Sequence, residues 1–390
     1  MAVTISEWAA LGGEAAAFLD LPARVYADDR AYLPPDPAET ARQYNGTGAE
    51  RRFFVARDDG TPVARVAAFL SRDLRDATGR PIGALGGFEA LPPSPGATAA
   101  AATCPTTPAT GAAASPAATD ALFLAARAWL NARGAGQVVG PLDGDTWRRY
   151  RVNLGPFDAP PFPLEPWNPP YYAALWTAAG FRPLAGYYSK VVADPAAAAA
   201  ATARFAQRVQ ARSFALRQLD LAAFDRDLGL LYQLTTAIFT DNFLYAPLAE
   251  SDFRLQYLRL RPLLDPELVQ FALAPDGRPA GYVFCFPDWQ AALVAWRRAG
   301  ATPAALPDCL RRHPPTALCV KTIGVRPEYR GGGLAVALMH HAYAAAARRG
   351  LARVYLCLIH DDNASGRLDA GLGQVLRRYV LYTHGAAADA

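Results

Sequence analysis

The stretch Thr322–Ala335, TIGVRPEYRGGGLA, decides the fold of this 390-residue chain. We predict a β-strand over Ala317–Val325 and a loop opened by Pro327. A helix over Leu334–Arg349 and a second strand over Arg353–His360 follow. Glycine allows backbone N–H groups to approach a ligand closely, and a helix N-terminus attracts anions. This order of strand, glycine loop, helix and strand therefore predicts a phosphate or pyrophosphate site, with a plain flexible turn as the alternative.

Two familiar phosphate-binding motifs do not fit the loop. It lacks the Gly-Lys-Ser/Thr ending of a P-loop, and its glycines are not spaced as in a dinucleotide-binding fingerprint. It resembles instead the coenzyme-A loop of the GCN5-related N-acetyltransferase (GNAT) superfamily, because the pattern Gln/Arg-x-x-Gly-x-Gly/Ala is met by Arg330, Gly333 and Ala335. The resemblance implies an acyl-CoA whose pyrophosphate rests on the backbone of the loop residues Gly331, Gly332, Gly333, Leu334 and Ala335.

Composition limits the class of protein. Apolar residues make up 52% of the chain and charged residues 19%, which is typical of a globular protein. No apolar run reaches twenty residues, and the acidic N-terminal stretch is no secretory signal, so we expect a cytoplasmic protein without a membrane span. The net charge of +4 is not clustered and does not indicate a nucleic-acid partner. The five cysteines are far apart, which argues against a zinc site or a disulfide framework.

The first half begins with a predicted helical start. Alternating residues predict a hairpin of strands Arg51–Asp58 and Pro62–Ser71, and Ile82–Leu91 predicts a third strand. Pro92–Thr119 is an uncharged low-complexity segment that we expect to form a loop. The remaining predicted elements of this half are helix Asp120–Arg133 with Asp120 as N-cap, strand Gln137–Pro141, helix Tyr171–Ala179 and strand Tyr187–Val192.

The second half repeats this order of elements. Its predicted elements before the glycine loop are helices Leu221–Phe239 and Glu250–Leu263 and strands Glu267–Leu273 and Pro279–Phe286. A short helix near Arg367 and strand Arg377–His384 follow the strand that ends at His360. The phrase Asp59-Gly60-x-Pro62 of the first half recurs as Asp276-Gly277-x-Pro279 in the second. A repeated order together with a repeated phrase favours two copies of one fold.

The resemblance then covers nearly the whole chain and implies an α/β (α+β) fold of tandem GNAT-like domains. Each would be a mixed, mainly antiparallel sheet flanked by helices. We expect a degenerate GNAT-like domain over 1–193, a linker helix over 194–212 and a GNAT domain with the acyl-CoA loop over 213–390. Because the first half has the segment 92–119 where the second has the glycine loop, only the second is expected to hold acyl-CoA.

Acyl transfer from a thioester to an amine requires a polarised carbonyl, a neutral amine and protonation of the departing thiolate. The resemblance implies that the backbone of Ile323 and Val325 faces the pantetheine arm, and that an N–H near Val325 polarises the carbonyl. Both residues also fit ordinary buried strand positions, and the two interpretations are compatible.

The catalytic candidates follow the second strand. His360 and Asp361 stand where α/β sites tend to form and could accept the amine proton; the alternative is a surface position at a loop. The family often places an Asn that contacts the CoA arm here, and Asn363 matches it or acts as a helix N-cap. Many members carry a Tyr that protonates the thiolate at the position of Ala370, so solvent or Tyr382 is left for that role.

Acceptor-binding candidates come from an aromatic passage, LGPFDAPPFPLEPWNPPYY, that is too rich in Pro for a regular element. It resembles a segment of a group of bacterial tandem GNAT proteins, and Asn168, Tyr171 and Tyr172 match that segment. The passage predicts a rigid loop that lines an acceptor pocket or that only packs. Two similar candidates in the second half are Tyr245 and Asp288.

These observations lead to one prediction and two alternatives. We predict an N-acyltransferase that moves an acetyl group from acetyl-CoA to an amine of a small molecule or peptide by direct attack, without a metal. A non-catalytic acyl-CoA-binding or regulatory protein would explain the Ala at position 370. A transferase that uses charged tRNA would need a basic groove, which the mild charge does not indicate.

Overall fold

The computed structural model describes residues 2–46, 48–93 and 114–385. Its helices are α1 (Ala16–Val25), α2 (Pro37–Asn45), α3 (Pro116–Asn131), α4 (Tyr172–Ala178), α5 (Pro195–Ala211), α6 (Phe224–Phe239), α7 (Glu250–Leu260), α8 (Gln290–Arg298), α9 (Leu306–Arg312) and α10 (Leu334–Arg348). Its strands are β1 (Val3–Trp8), β2 (Glu50–Asp58), β3 (Thr61–Arg75), β4 (Pro81–Ala90), β5 (Gln137–Gly140), β6 (Val152–Asn153), β7 (Arg182–Val192), β8 (Ala215–Gln218), β9 (Val269–Leu273), β10 (Pro279–Pro287), β11 (Ala317–Val325), β12 (Arg353–His360) and β13 (Gly373–Gly385).

The chain forms two compact units that are not continuous in sequence. The first comprises Met1–Pro160, Pro166–Gly186 and Tyr379–Ala390, and the second comprises Pro161–Glu165 and Tyr187–Arg378. The boundaries of these units differ from those of the predicted domains, which were continuous in sequence. The reason is that strands β7 and β13 each contribute residues to both units.

The first unit is a sheet with the strand order β1-β2-β3-β4-β5, continued by the C-terminal part of β13. Only the pair β4–β5 is parallel, and the others are antiparallel. Helix α3 packs on β2 and β3, and α1 packs on β3 and β4. A core of aliphatic and aromatic side chains, among them Phe88, Phe123 and Trp176, fills the space under these helices.

The second unit repeats this plan. Its strand order is β7-β12-β11-β10-β9-β8, and β11–β12 is the single parallel pair. Helices α6 and α10 pack on β10 and β11. The predicted fold class is confirmed, since each unit is a mixed, mainly antiparallel sheet with helices packed on it.

Local sequence explains most of the predicted elements. The hairpin β2–β3 turns at Asp59 and Gly60, whose φ values of +45° and +80° suit a two-residue turn. The helix predicted over 194–212 is present as α5, where the Asp194 carboxylate accepts a hydrogen bond of 2.9 Å from the Ala197 N–H. Helix α5 packs along α10.

Three predictions in the first unit need correction or fall outside the structure. The expected helical start is wrong, because Val3–Trp8 forms β1 and pairs with β2. Helix α3 begins at Pro116 with Ser115 as its N-cap, so the expected N-cap Asp120 lies inside it. Residues 94–113 of the predicted loop lie outside the described part of the chain. In the second unit, β8, α8 and α9 were not predicted.

A buried ion pair anchors a short segment in the second unit. Glu165 accepts hydrogen bonds of 2.9 and 3.2 Å from Nη1 of Arg377, and the two side chains are 0% and 1% exposed. The same carboxylate accepts the backbone N–H of Phe162, whose ring stacks on Tyr355 at 5.7 Å. These contacts hold 161–165 in the core of this unit.

Replacement of one partner should expose the dependence on this pair. We expect Glu165→Gln to lower the free energy of unfolding by about 3–5 kcal/mol, because it leaves the Arg377 guanidinium buried without its counter-charge. Chemical denaturation measures the loss. Asp276→Asn, which breaks an exposed pair with Arg278, should leave the transition unchanged. Equal stability of the Glu165→Gln variant and the parent would contradict the assignment.

Candidate functional site

The glycine loop joins β11 to α10 through the 3-10 turn Pro327–Tyr329. Gly331 and Gly333 have φ values of +79° and +86°, a region that favours glycine. Gly333 is the N-cap of α10 and supplies no side-chain hydrogen bond to the helix. The N–H groups of the first turn therefore lack a side-chain cap and present the positive end of the helix dipole.

The surroundings of the loop explain why three glycines occur in a row. A Cβ atom on Gly331 would meet nothing within 4 Å, so the loop is open on that side. A Cβ atom on Gly333 would lie 2.9 Å from Cδ1 of Phe205, and one on Gly332 would clash with the Arg212 guanidinium. Helix α5 thus brings an aromatic ring and a cation against the loop, which the sequence did not indicate.

The Arg330 side chain is turned toward the protein. Its Nε donates a hydrogen bond of 3.0 Å to the carbonyl of Val325, the last residue of β11. The guanidinium therefore braces the loop against the strand. Because the Arg330 side chain bonds to β11, a contact of Arg330 with the cofactor would come from its backbone. That role stays a prediction.

Strands β11 and β12 separate next to the loop. They pair in parallel from Ala317 to Val320, and this pairing ends there. In β12, Leu358 has a φ of +60° and the register with β7 shifts between Leu356 and Ile359. Thr322–Val325 pair with β10 on their other side, and among the described residues no strand pairs with their edge toward β12.

The predicted residues of this segment differ in burial. Ile323 is half-buried and Val325 is 7% exposed. Both lie on the unpaired part of β11, where a ligand between the strands would meet the backbone. Their assigned roles remain predictions.

His360 is the last residue of β12, and Asp361, Asp362 and Asn363 follow it. The His360 ring contacts the edge of Tyr187 at 4.9 Å, and its Nδ1 accepts the backbone N–H of Asp362 at 3.2 Å. A neutral ring with this bond carries its proton on Nε2, so a role as base needs the other tautomer. Asp361 is exposed. Asn363 caps the short helix Ala364–Arg367 by accepting the Ser365 N–H at 2.9 Å.

The remaining candidates have different surroundings. Tyr382 belongs to the first unit, where it stacks on Trp176 at 6.0 Å and burial raises its pKa. Tyr245 is half-buried between α6 and α7, and burial raises its pKa. Asp288 donates its backbone N–H to Ala317 at the start of β11. Eight residues of strand, roughly 26 Å, separate that point from the loop.

The acceptor candidates of the first unit belong to a buried polar network. Tyr172 donates a hydrogen bond of 2.7 Å to Glu89, which also accepts from Tyr26 at 3.0 Å. Tyr171 donates to the Ala90 carbonyl at 2.8 Å. Asn168 bonds both backbone groups of Asn153, at 2.7 and 3.1 Å. The matched residues are thus brought together, and their contacts hold the aromatic passage on β4 and β6.

Charges balance within this network. The Glu89 side chain, 1% exposed, faces Arg149 at 3.2 Å and Arg65 at 3.9 Å. Burial raises the pKa of both Asp143 and Tyr172. The group lines a cavity of about 30 Å³, which is room for a water molecule. Glu89 was not predicted, although a single charge in the apolar strand GGFEA was a visible signal.

In the first unit, hydrogen bonds bridge the separation between the two parallel strands. Parallel pairing of β4 and β5 runs through Ile82, Gly83 and Ala84. Beyond it, the Leu142 N–H donates to the Leu85 carbonyl at 2.7 Å, and the Asp143 carboxylate accepts the Gly87 N–H at 2.8 Å. These bonds therefore join β4 to the residues that follow β5. In the second unit, no strand pairing joins β11 and β12 at the corresponding place.

The described residues contain neither a metal-binding cluster nor a membrane-spanning helix. Over 2–46, 48–93 and 114–385, no three His, Cys, Asp or Glu side chains are grouped so that they could hold a metal ion. Within the same ranges, every helix is too short or too polar to cross a membrane.

Comparison with known proteins identifies the fold. Residues 230–368 match the model of the Acetyltransferase (GNAT) family. The chain is 25% identical over 284 residues to the bacterial ceramide synthase of Caulobacter vibrioides, which covers 71% of this chain and 68% of that protein. Among solved structures it is similar to a tandem GNAT protein from the clavulanic acid biosynthesis pathway, with 14% identity and a TM-score of 0.52 over 100% of both chains.

A second solved structure extends the comparison. The glucosamine N-acetyltransferase region of a fungal multi-domain β-N-acetylglucosaminidase has 14% identity and a TM-score of 0.52, covering 98% of this chain and 38% of the longer one. The predicted fold is confirmed: residues 230–368 match the GNAT family model, and the whole chain has the fold of a tandem GNAT protein.

The loop can be tested without damage to the fold. Gly332→Glu places a negative charge among the free N–H groups, and its Cβ meets only the flexible end of Arg212. Calorimetric titration of acetyl-CoA should show binding to the parent and at least about tenfold weaker binding to Gly332→Glu, because like charges repel. Gly12→Glu, at a glycine with nothing within 4 Å of its Cβ position, is the matched control. Equal affinity of both variants would make the loop a plain turn.

The network of the first unit gives a separate prediction. Tyr172→Phe removes one of the two hydroxyls that donate to the buried Glu89 carboxylate. We expect the free energy of unfolding to fall by about 1.5–3 kcal/mol, as for other hydrogen bonds to charged groups, with acetyl-CoA binding unchanged. Denaturant unfolding and calorimetry measure the two quantities. Unchanged stability with a raised KM for an acceptor would instead assign Tyr172 to the acceptor.

Proposed function

We propose that this chain, whose C-terminal half carries a GNAT domain, transfers an acyl group from an acyl-CoA to a primary amine. The observation that carries the proposal is that, among the described residues, no strand pairs with the Thr322–Val325 edge facing β12, beside a helix N-terminus without a side-chain cap. The first feature offers backbone donors to a carbonyl, and the second offers them to a phosphate.

The residues of the second unit fit acyl-CoA. The backbone N–H groups of Gly331–Ala335, in the loop and at the start of α10, would hold the pyrophosphate, and the open side of Gly331 leaves space for it. The separation of β11 from β12 would hold the pantetheine arm. When bound, acyl-CoA supplies a thioester that an amine can attack directly.

The chain's own groups would then act on charge and protons. A backbone N–H near Val325 would polarise the acyl carbonyl, in the manner of an oxyanion-hole donor. His360 or Asp361 would take the proton of the amine, since they lie at the C-terminal end of β12. With Ala370 at the position of the expected Tyr, solvent is the proposed proton source for the thiolate.

One acyl-CoA per chain is part of the proposal. In the described part of the first unit, Asp143 and Leu142 bond across the opening between β4 and β5, where a pantetheine arm would otherwise lie. A calorimetric stoichiometry near one supports this assignment, and a stoichiometry of two contradicts it.

The acceptor class is suggested by a relative. The similar protein from Caulobacter vibrioides bears the name ceramide synthase, which motivates long-chain amines as a first set of acceptors beside short amines and peptides. Release of the CoA thiol with acetyl-CoA and with a long-chain acyl-CoA tests each pair. A protein that binds acyl-CoA and turns over none of these amines would favour the non-catalytic alternative, which Ala370 also suggests.

The base can be identified by paired variants. We expect His360→Asn to lower kcat by about 10²-fold or more with an unchanged Kd for CoA, because general base catalysis contributes that much. Asp361→Asn is the comparison at the adjacent residue. Loss of activity in the Asp361 variant alone would move the role to the carboxylate, and full activity in both would leave proton transfer to solvent.

A further inference from the structure

Helix α5 and its C-cap residue carry three exposed arginines on the side of the glycine loop. Arg204, Arg208 and Arg212 follow one another at intervals of four residues, so they lie on one side of the helix. None of them pairs with an acidic side chain in the described part of the chain. We call these three residues the arginine stripe.

Aromatic rings connect the stripe to the loop. The guanidinium carbons of Arg204 and Arg208 lie 4.9 and 5.8 Å from the centre of the Phe205 ring. The same ring lies 2.9 Å from the Cβ position of Gly333, the N-cap of α10. Cation–π contacts thus keep two guanidinium groups close to the proposed phosphate site.

Arg212 approaches the loop from the end of α5. Its guanidinium occupies the space beside Gly332 and lies 5.8 Å from the centre of the Phe214 ring. Phe214 in turn packs edge-on against Tyr329 at the start of the loop. Arg212 therefore lies beside the loop, and Arg204 and Arg208 lie beside the ring that contacts it, which is more positive charge than a pyrophosphate on backbone N–H groups requires.

We propose that the arginine stripe recognises the phosphorylated nucleotide of acyl-CoA. Arg212 contacts the pyrophosphate, and Arg204 and Arg208 contact the phosphate on the ribose 3′ oxygen. This inference rests on the proposed function and adds a source of specificity. Helix α5 lies outside residues 230–368, so the family match does not assign the stripe. Its compact placement around the loop favours a small polyphosphate over the extended acidic surface of a carrier protein.

Calorimetry with CoA and 3′-dephospho-CoA tests the proposal. The parent should bind CoA about tenfold more tightly, which corresponds to one charge-assisted contact. In the double variant Arg204→Gln/Arg208→Gln, the two ligands should bind equally within about twofold, with unchanged affinity for dephospho-CoA. Arg212→Gln should weaken both ligands by about tenfold. The preference of the parent should shrink as salt is added.

The control is Arg312→Gln, which removes the same charge from an exposed arginine of α9. Equal binding of CoA and dephospho-CoA to the parent, or a preserved preference in the double variant, overturns the stripe and leaves the proposed function intact. A parent that binds neither ligand overturns both. Tighter binding of an acyl carrier protein than of acyl-CoA, lost in the double variant, would also overturn the proposal and assign the stripe to an acidic protein.

Discussion

The second unit depends on a break in strand pairing. Strands β11 and β12 share only four paired positions before Leu358, with φ +60°, redirects β12. A non-glycine residue in this conformation costs roughly 1–3 kcal/mol and persists only where its surroundings require it. Unpaired backbone groups inside a sheet are also unfavourable unless another partner satisfies them. A ligand with its own amide groups would be such a partner. The strained conformation of Leu358 therefore fits the proposed binding of a pantetheine arm between the strands.

The first unit shows the same architecture with the break repaired. The Asp143 carboxylate takes the Gly87 N–H, and Tyr44 donates a hydrogen bond of 3.0 Å to the same side chain. Burial raises the pKa of Asp143, while Arg149 opposes that shift. A buried carboxylate is tolerated here because each of its oxygens has a donor. One architecture thus occurs in two forms: side-chain and backbone bonds bridge the strands of the first unit, and strand pairing between β11 and β12 ends at Val320 in the second.

Sequence patterns predicted the elements that depend on local interactions. Strands β11 and β12 have the predicted bounds. Each is an apolar run, and the loop opened by Pro327 and the helix α10 between them limit where the two strands can end and begin. The N-cap of α3 was misplaced because Ser115-Pro116 lies in a low-complexity segment that hid the signal. The assignment of 379–385 to the first unit follows from pairing with β5, which is distant in sequence. No periodicity within β13 could indicate that pairing.

Only part of the candidate site could be predicted from the sequence, for a related reason. Its glycines are constrained by backbone geometry, so they leave a motif in the sequence. Arg212 and Phe205 reach the loop only because α5 packs along α10, and nothing in the loop's own sequence requires them. Packing also fixes their positions before any ligand arrives, and preorganised charges lose less conformational entropy on binding. The proposed specificity would therefore depend on the packing of α5, a helix that lies outside the residues that match the family model.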